Sequence, residues 1–305
     1  MKVMVTGGLG GLGQYITQEC INQKHDVTIF DLKTRSSVKI ANRFPKGTVC
    51  YGDIMKPDTY QDLIPNLDAI IHLAFILPPM SEKASFARNI NVEGTKLLVE
   101  SIKELNPDCR LIFASSVSLY GPTTWYNKDI IPERNINPTD NYTRHKAECE
   151  SIIRNSGLEW LILRIAEAMY LSFDLSPKNL ERMYDIPYNQ RVEFIHPKDV
   201  ALAFANAVSV DAKNEVFNIA GGVNCRMLFH EQIDKIFETL NLPPAKPNKF
   251  STKTYYLDYY NTEKSQKLLK YQNRDFEDWI EDFKKEMGRT RDVIAFFAPI
   301  AKFFL

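Results

Sequence analysis

Short apolar runs alternate with amphipathic segments along the first 120 residues of the chain, and one more helix and strand follow a long loop at 121–139. Residues 3–5 and 26–30 have the length of strands, and 89–105 has the spacing of an amphipathic helix; a shorter helix is predicted at 58–63. Runs that are apolar throughout are typical of strands covered on both faces. Strands that alternate with helices at short intervals predict the α/β class, with a doubly wound parallel sheet.

The pattern changes after residue 165. Residues 166–193 show no clear periodicity, 194–222 return to short apolar segments, and 223–305 look mainly helical. We therefore expect a Rossmann domain at 1–165, to which 194–222 return. A smaller substrate lobe is expected from 166–193 and 223–305, and it should pack against the first domain because no Gly/Ser-rich linker separates them.

Charge excludes some partners. The chain of 305 residues carries 38 Lys and Arg against 38 Asp and Glu, so its formal net charge is zero. Nothing in this balance favours nucleic acid or an anionic membrane. No run approaches the roughly 20 apolar residues of a spanning helix, so no transmembrane segment is expected.

Cysteine and histidine spacing adds two further expectations. The five cysteines include no CxxC pair, which favours reduced thiols in a cytoplasmic protein. The five histidines show no metal-ligand spacing, so no metal is expected, and His145 is interpreted as a solvated helix position.

The C-terminal residues 293–305 form an apolar tail. Packing on the protein itself or between subunits is favoured over a membrane interface, because the tail lacks a basic face and Pro299 interrupts it.

A glycine-rich turn follows the first apolar run. It reads Thr6-Gly7-Gly8-Leu9-Gly10-Gly11-Leu12-Gly13 and leads into a predicted helix. The unpaired N–H groups of a helix start attract a diphosphate, and glycines let it approach. Asp31 ends the next predicted strand, where a carboxylate can accept hydrogen bonds from a ribose diol. Together these features predict dinucleotide binding.

A second constellation carries candidate chemistry. Tyr142 and Lys146 are four residues apart on a predicted helix, so both side chains project from one face. A lysine ammonium beside a phenol favours the phenolate and should lower the phenol pKa toward the working range. Ser116 ends an earlier strand, from which its hydroxyl can orient a substrate oxygen. These three residues predict proton transfer at an alcohol or carbonyl.

Both constellations occur in one order with other motifs. The further matches are Asp53-Ile54, His72-Leu73-Ala74, Asn91, Tyr120-Gly121, Arg164, 194–196 with Asp199, and 217–219. As a set they resemble the extended short-chain dehydrogenase/reductases, a group that includes NAD-dependent sugar epimerases and dehydratases, over residues 1 to about 270. The resemblance implies an enzyme with a Rossmann fold, NAD as cofactor and a small-molecule substrate.

The resemblance also implies roles for single residues. Tyr142 would be the acid/base, Lys146 its partner and Ser116 the substrate-orienting donor. The positions assigned to the cofactor are Gly7, Gly10, Leu12, Gly13, Asp31, Asp53, Ile54, Leu73, Ala74, Asn91, Tyr142 and Lys146. Asp31 favours NAD because it would repel a 2′-phosphate, whereas nearby Lys33 and Arg35 keep NADP as the less favoured choice.

The chain departs from the family pattern in the region expected to contact substrate. Members that act on nucleotide sugars usually carry Asn where this chain has Glu167, and a carboxylate is a poor neighbour for a diphosphate. The stretch 164–194 is also short for a nucleotide-sugar enzyme. Both features favour a smaller or less anionic substrate. Phe75, within an apolar segment at 75–80, either walls the site or packs on the second lobe; it joins Ser116 and Glu167 as a candidate substrate residue.

Three functions stay open at this point. The favoured one is an epimerase or dehydratase that returns the hydride to a sugar derivative. The alternative is an alcohol dehydrogenase or carbonyl reductase acting on a smaller apolar substrate, hydroxysteroid-like or an aldehyde. A non-catalytic dinucleotide sensor is the third, and Ser116, Tyr142 and Lys146 together count against it. The helices 89–105 and 140–155 resemble those that pair in dimers of this family, so a homodimer is expected.

Overall fold

The computed structural model describes residues 1–171 and 181–288. Ten strands lie in these ranges: β1 (Lys2–Thr6), β2 (Asp26–Asp31), β3 (Val49–Tyr51), β4 (Ala69–His72), β5 (Arg110–Ser116), β6 (Trp160–Ile165), β7 (Glu167–Ala168), β8 (Arg191–Ile195), β9 (Glu215–Ile219) and β10 (Arg226–Leu228). Seven of them form a parallel sheet in the order β3-β2-β1-β4-β5-β6-β9. The predicted doubly wound α/β class is confirmed.

Helices fill the connections between the strands. In chain order they are α1 (Gly11–Asn22), α2 (Arg35–Ala41), α3 (Ala84–Arg88), α4 (Gly94–Leu105), α5 (Asn141–Arg154), α6 (Pro197–Ala207), α7 (Phe229–Thr239), α8 (Glu263–Leu269) and α9 (Phe276–Met287). A π-helical turn, Asn89–Glu93, joins α3 to α4, so the helix predicted at 89–105 is present. The α-helix predicted at 58–63 is wrong. Two 3₁₀ helices, Pro57–Thr59 and Gln61–Asn66, stand there, and Pro65 has no N–H to donate to a fourth-residue carbonyl.

Apolar side chains cover both faces of the main sheet. Along β1, Val3 and Val5 point to the core beneath α1 and α6, whereas Met4 points to the core beneath α4 and α5. This alternation follows from the two-residue period of a strand. Because both faces are buried, the strands read as continuous apolar runs in the sequence.

The second lobe combines helices with a small sheet in the order β10-β8-β7. Its core centres on Trp279 of α9, whose ring stacks on Phe276 and Phe283. Phe194 of β8 meets the edge of this group. Within the segment 194–222, β9 is a strand of the main sheet and α6 packs against α1 and β6. Phe194 lies in the small sheet.

Some expectations fall on residues that the structure does not describe, and others concern membrane-spanning helices and cysteines. The apolar tail at 293–305 and residues 172–180 of the predicted substrate lobe lie outside the described residues. In the part that the structure describes, no helix combines the length and the apolar character needed to cross a membrane. All five cysteines carry free thiols.

Candidate active site

A cavity of about 830 Å³ opens at the carboxyl ends of the main-sheet strands. This is the edge at which open parallel sheets bind ligands. Most of the residues predicted from the sequence line it, namely Gly7, Gly10, Leu12, Gly13, Asp31, Asp53, Ile54, Leu73, Ala74, Phe75, Ser116, Tyr142 and Lys146. The structure therefore brings the glycine loop and the Ser-Tyr-Lys set to a single cavity.

The glycine loop makes one end of this cavity. Gly7 has φ +68°, and a methyl group there would stand 2.9 Å from the Ala74 nitrogen. A methyl group at Gly13 would stand 2.2 Å from the Gly7 carbonyl oxygen, so both positions require glycine. The chain turns tightly into the start of α1 at Gly11, which leaves first-turn N–H groups facing the cavity. This arrangement fits a dinucleotide pyrophosphate.

Asp31 lies beside the loop. Its carboxylate accepts hydrogen bonds from the backbone N–H groups of Leu9 at 2.9 Å and Leu32 at 2.8 Å. Burial raises the pKa of Asp31, and these two bonds oppose the rise. Each oxygen keeps a lone pair for a ribose hydroxyl. Lys33 and Arg35 are exposed and do not line the cavity, which favours NAD over NADP.

The helix that carries Tyr142 and Lys146 begins with a capping box. The Asp140 carboxylate accepts from the Thr143 N–H, and the Thr143 hydroxyl accepts from the Asp140 N–H. The cap fixes the start of α5 opposite the end of β5, where Ser116 lies. Tyr142 and Lys146 then follow one turn apart and both face the cavity.

The pKa values in this set differ from the expectation. Burial raises the pKa of Tyr142, and a hydrogen bond with Ser116 only partly opposes the rise. Burial also lowers the pKa of Lys146 to about 7. The Lys146 ammonium donates to the Ala114 carbonyl oxygen and lies 5.8 Å from the centre of the Tyr142 ring. The lysine therefore does not lower the phenol pKa in this arrangement.

Phe75 forms a wall of the cavity, as one of its two interpretations predicted. The Lys146 nitrogen lies 3.5 Å above its ring centre, and the Tyr142 ring meets it edge to face at 5.9 Å. Ile76 and Leu77 continue the wall, and Leu77 is 47% exposed. The segment is therefore not packed away on the second lobe.

Asn91 and His145 occupy different places from those predicted. Asn91 is fully buried behind the cavity wall, where its amide pairs with both backbone groups of Ile76. The same amide nitrogen lies 3.3 Å from Nδ1 of His145, which is only 4% exposed. The interpretation of His145 as a solvated position was wrong, because α3 and the wall segment cover this side of α5.

Glu167 lies next to the cavity and not in its lining, although Ala166 and Ala168 on either side do line it. Alternation along β7 turns the carboxylate toward α7, where Gln232 donates to it at 2.9 Å. Burial raises the pKa of Glu167 to about 7, and the Gln232 bond opposes the rise.

A buried ion pair holds α5 against β6. Arg164 donates to both oxygens of Glu150, at 2.9 and 2.7 Å, and also to the hydroxyl of Tyr120 at 2.9 Å. Ser115 donates to the same carboxylate at 2.6 Å, and the Tyr120 hydroxyl donates to Asn218. Three motif residues, Tyr120, Arg164 and Asn218, thus support the site without lining it.

Several lining residues carried no sequence signal. They are mainly apolar positions brought in by strand ends and by the π-helical turn: Met55, Phe86, Ile90, Ile165, Ala166 and Ala168, together with the phenol of Tyr170. Within the described ranges, no group of three or more His, Cys, Asp and Glu side chains could hold a metal ion.

Comparison with known proteins decides the family. Residues 3–220 match the model of the NAD dependent epimerase/dehydratase family. The chain belongs to this family. NAD is the cofactor of the epimerase/dehydratase family, so membership confirms the predicted resemblance, the predicted cofactor and an NAD-dependent enzyme.

The names of similar proteins indicate different activities. "Putative UDP-glucose 4-epimerase" of Methanocaldococcus jannaschii is 29% identical over 241 residues, which are 72% of this chain and 77% of that protein. D-erythronate dehydrogenase of Haemophilus influenzae is 33% identical over 162 residues, which are 51% of this chain and 50% of that protein.

Solved structures agree on the fold. A dTDP-glucose 4,6-dehydratase from Bacillus anthracis, solved in complex with NAD, superposes with a TM-score of 0.77 at 19% identity, over 96% of this chain and 99% of that one. MoeE5, solved with UDP-glucuronic acid and NAD, gives 0.75 at 20% identity, over 94% and 100% of the two chains.

Proposed function

We propose that this protein is an epimerase- or dehydratase-type enzyme that acts at a hydroxyl or carbonyl group of a sugar derivative through Ser116, Tyr142 and Lys146. NAD, when bound, supplies the hydride acceptor and donor. The observation that carries the proposal is that all three side chains line the same cavity as the glycine loop and Asp31. A carbon held between Tyr142 and the cofactor can then exchange a proton on its oxygen with the phenol.

The phenol of Tyr142 is prepared to act as an acid. Because burial raises its pKa, the hydroxyl keeps its proton at neutral pH and can give it to a substrate carbonyl. The Ser116 hydroxyl, which pairs with the Ser118 hydroxyl at 2.7 Å, lines the cavity beside Tyr142 and can orient the same substrate oxygen. For the reverse transfer, Lys146 must leave the Ala114 carbonyl and approach the phenolate, which a charged ammonium favours.

The decisive experiment replaces Tyr142 with Phe. UDP-glucose, dTDP-glucose and D-erythronate are screened with NAD, and products are identified by mass spectrometry and NMR. Turnover of the accepted substrate should fall by roughly 10²–10⁴, the range for losing a general acid–base, while NADH binding is retained. The matched control is Tyr126→Phe, because Tyr126 is half-buried and does not line the cavity. Unchanged turnover in Tyr142→Phe would contradict the proposal.

A dehydrogenase is the second candidate. The exposed apolar wall at Phe75–Leu77 suits a smaller substrate better than a nucleotide sugar. The relative named D-erythronate dehydrogenase also supports this candidate. Stoichiometric NADH formation, followed at 340 nm, distinguishes it, since an epimerase or dehydratase accumulates none.

We also infer a homodimer from the family resemblance. The outer faces of α4 and α5 that would meet carry charged side chains, including Lys96, Glu100 and Arg144. Multi-angle light scattering measures the mass directly, and a monomer at micromolar concentration would overturn this inference.

A further inference from the structure

Tyr170 lies across the glycine loop, against Gly11. A methyl group added to Gly11 would stand 2.5 Å from Cε1, 2.6 Å from Cζ and 2.9 Å from the hydroxyl oxygen of Tyr170. The ring therefore rests directly on the first residue of α1. It also lines the cavity and is 40% exposed. Its position is not that of a side chain buried in the packing of either lobe.

The loop beneath this ring has few charged partners for an anion. Among the cavity-lining residues that the structure describes, Lys146 is the sole cation, and its ammonium is directed at the Ala114 carbonyl. Asp31 and Asp53 add negative charge to the same lining. A pyrophosphate on the loop therefore depends on neutral hydrogen-bond donors, which are the first-turn N–H groups and any hydroxyl within reach.

The Tyr170 hydroxyl is such a donor. No hydrogen bond joins it to another of the described residues. Partial desolvation of the ring raises the pKa of Tyr170, so the hydroxyl keeps its proton at neutral pH. Within the described ranges the phenol therefore has no hydrogen-bond partner, and it is protonated and next to the helix start that faces the pyrophosphate.

We propose that Tyr170 clamps the pyrophosphate of NAD, its hydroxyl donating to a phosphate oxygen while its ring closes the groove over Gly11. The clamp slows cofactor release. Slow release suits an enzyme that must keep its reduced cofactor until the hydride is returned. The clamp itself rests on NAD binding, and its test by ligand affinity does not involve the proton transfer proposed for Tyr142.

Ligand binding tests the clamp without any substrate. Affinities for NADH, ADP-ribose and adenosine are measured by calorimetry, and NADH release by stopped-flow fluorescence. Tyr170→Phe should weaken NADH and ADP-ribose roughly tenfold, the effect of one hydrogen bond to a charged group, and speed NADH release. Adenosine, which has no phosphate, should bind as it does to the unaltered protein. Trp125→Ala is the control, because Trp125 is 66% exposed and lies outside the cavity lining.

A second variant changes Gly11, the other residue of the contact with Tyr170. Gly11→Ala forces the ring away, so it should weaken ADP-ribose in the presence of Tyr170 and change its affinity less than twofold in a Tyr170→Ala background. Circular dichroism and melting temperature establish that each variant is folded. Unchanged ADP-ribose affinity in Tyr170→Ala would overturn the clamp. Equal weakening by Gly11→Ala in both backgrounds would overturn it too, because the loop alone would then account for the loss.

Discussion

Burial destabilises the charged forms of several single residues in and near the cavity. Burial lowers the pKa of Lys146 to about 7 and that of His72 to about 3, and it raises the pKa of Glu167 to about 7. The Tyr142 phenol keeps its proton for the same reason. Proton transfer to a substrate therefore starts from a neutral phenol in a poorly solvated environment, where small changes in position change the pKa values strongly.

The raised pKa of Glu167 should make the unfolding free energy depend on pH. A carboxyl group whose pKa is about 7 in the folded protein and 4.5 when exposed stabilises the fold below pH 4.5, and this stabilisation is lost as the pH rises through 7. The loss amounts to roughly 3 kcal/mol. Glu167→Gln should therefore match the unaltered protein near pH 4.5 and exceed its unfolding free energy near pH 8, as measured by urea denaturation.

Glu238→Gln provides the control for that comparison. Glu238 is exposed on α7, the helix that also carries Gln232. Its replacement should leave the dependence of stability on pH parallel to that of the unaltered protein. If Glu167→Gln also gave a parallel curve, the carboxyl group would not be held in its neutral form.

At the scale of elements, α5 is positioned at two points. Its capping box fixes the end near Tyr142, and the ion pair between Glu150 and Arg164 fixes its middle against β6. Both partners of the pair are almost fully buried, at 3% and 2% exposed. The helix therefore presents Tyr142 and Lys146 from a rigid support.

Breaking the ion pair should be costly. Arg164→Met leaves Glu150 buried with much of its charge uncompensated, and the unfolding free energy should fall by about 3–5 kcal/mol in chemical denaturation. Combining it with Glu150→Leu should recover part of the loss, because an apolar pair needs no desolvation of charge. Lys96→Met, at an exposed pair with Glu100 on α4, should change stability little. A double variant no more stable than Arg164→Met would argue against a purely electrostatic cost.

The sequence predicts those parts of the site that are formed by local patterns within single elements. The glycine loop, Asp31 and the Tyr142 helix are local patterns with fixed spacing, and the structure places them in one cavity as expected. Asn91, assigned to the cofactor from the family resemblance, does not line the cavity; Asn89 and Ile90 of the same π-helical turn do.

Other features depend on contacts between distant segments, which local patterns do not contain. Glu150 lies four residues beyond Lys146 on the same helix and is buried only because Arg164 comes from the next strand. Tyr170 lies within the segment 166–193, which has no clear periodicity, and its contact with Gly11 joins residues far apart in the chain.

At the scale of the whole molecule, one carboxylate joins the two lobes. Asp199, on α6 beside the main sheet, accepts from the backbone N–H groups of Asn273 and Arg274 at 2.9 and 2.8 Å. It also pairs with the Arg274 guanidinium and is fully buried. The segment that enters α9 is thereby fixed to the nucleotide-binding lobe.

Asp199→Ala should loosen this junction. The two backbone N–H groups and the guanidinium lose their acceptor, so the unfolding free energy should fall by about 3–5 kcal/mol, measured by urea denaturation. Asp211→Ala, an exposed acid shortly after α6, is the control and should have little effect. Equal stability of the two variants would show that apolar packing alone joins the lobes.

The position of β9 in the main sheet has a consequence for synthesis of the chain. This strand pairs with β6 but is separated from it in sequence by β7, β8 and α6. When Lys146 and Arg164 have left the ribosome, the sheet still exposes the unpaired edge of β6. The nascent protein therefore has an exposed, aggregation-prone strand edge until β9 emerges. A chaperone would be of most use during this interval.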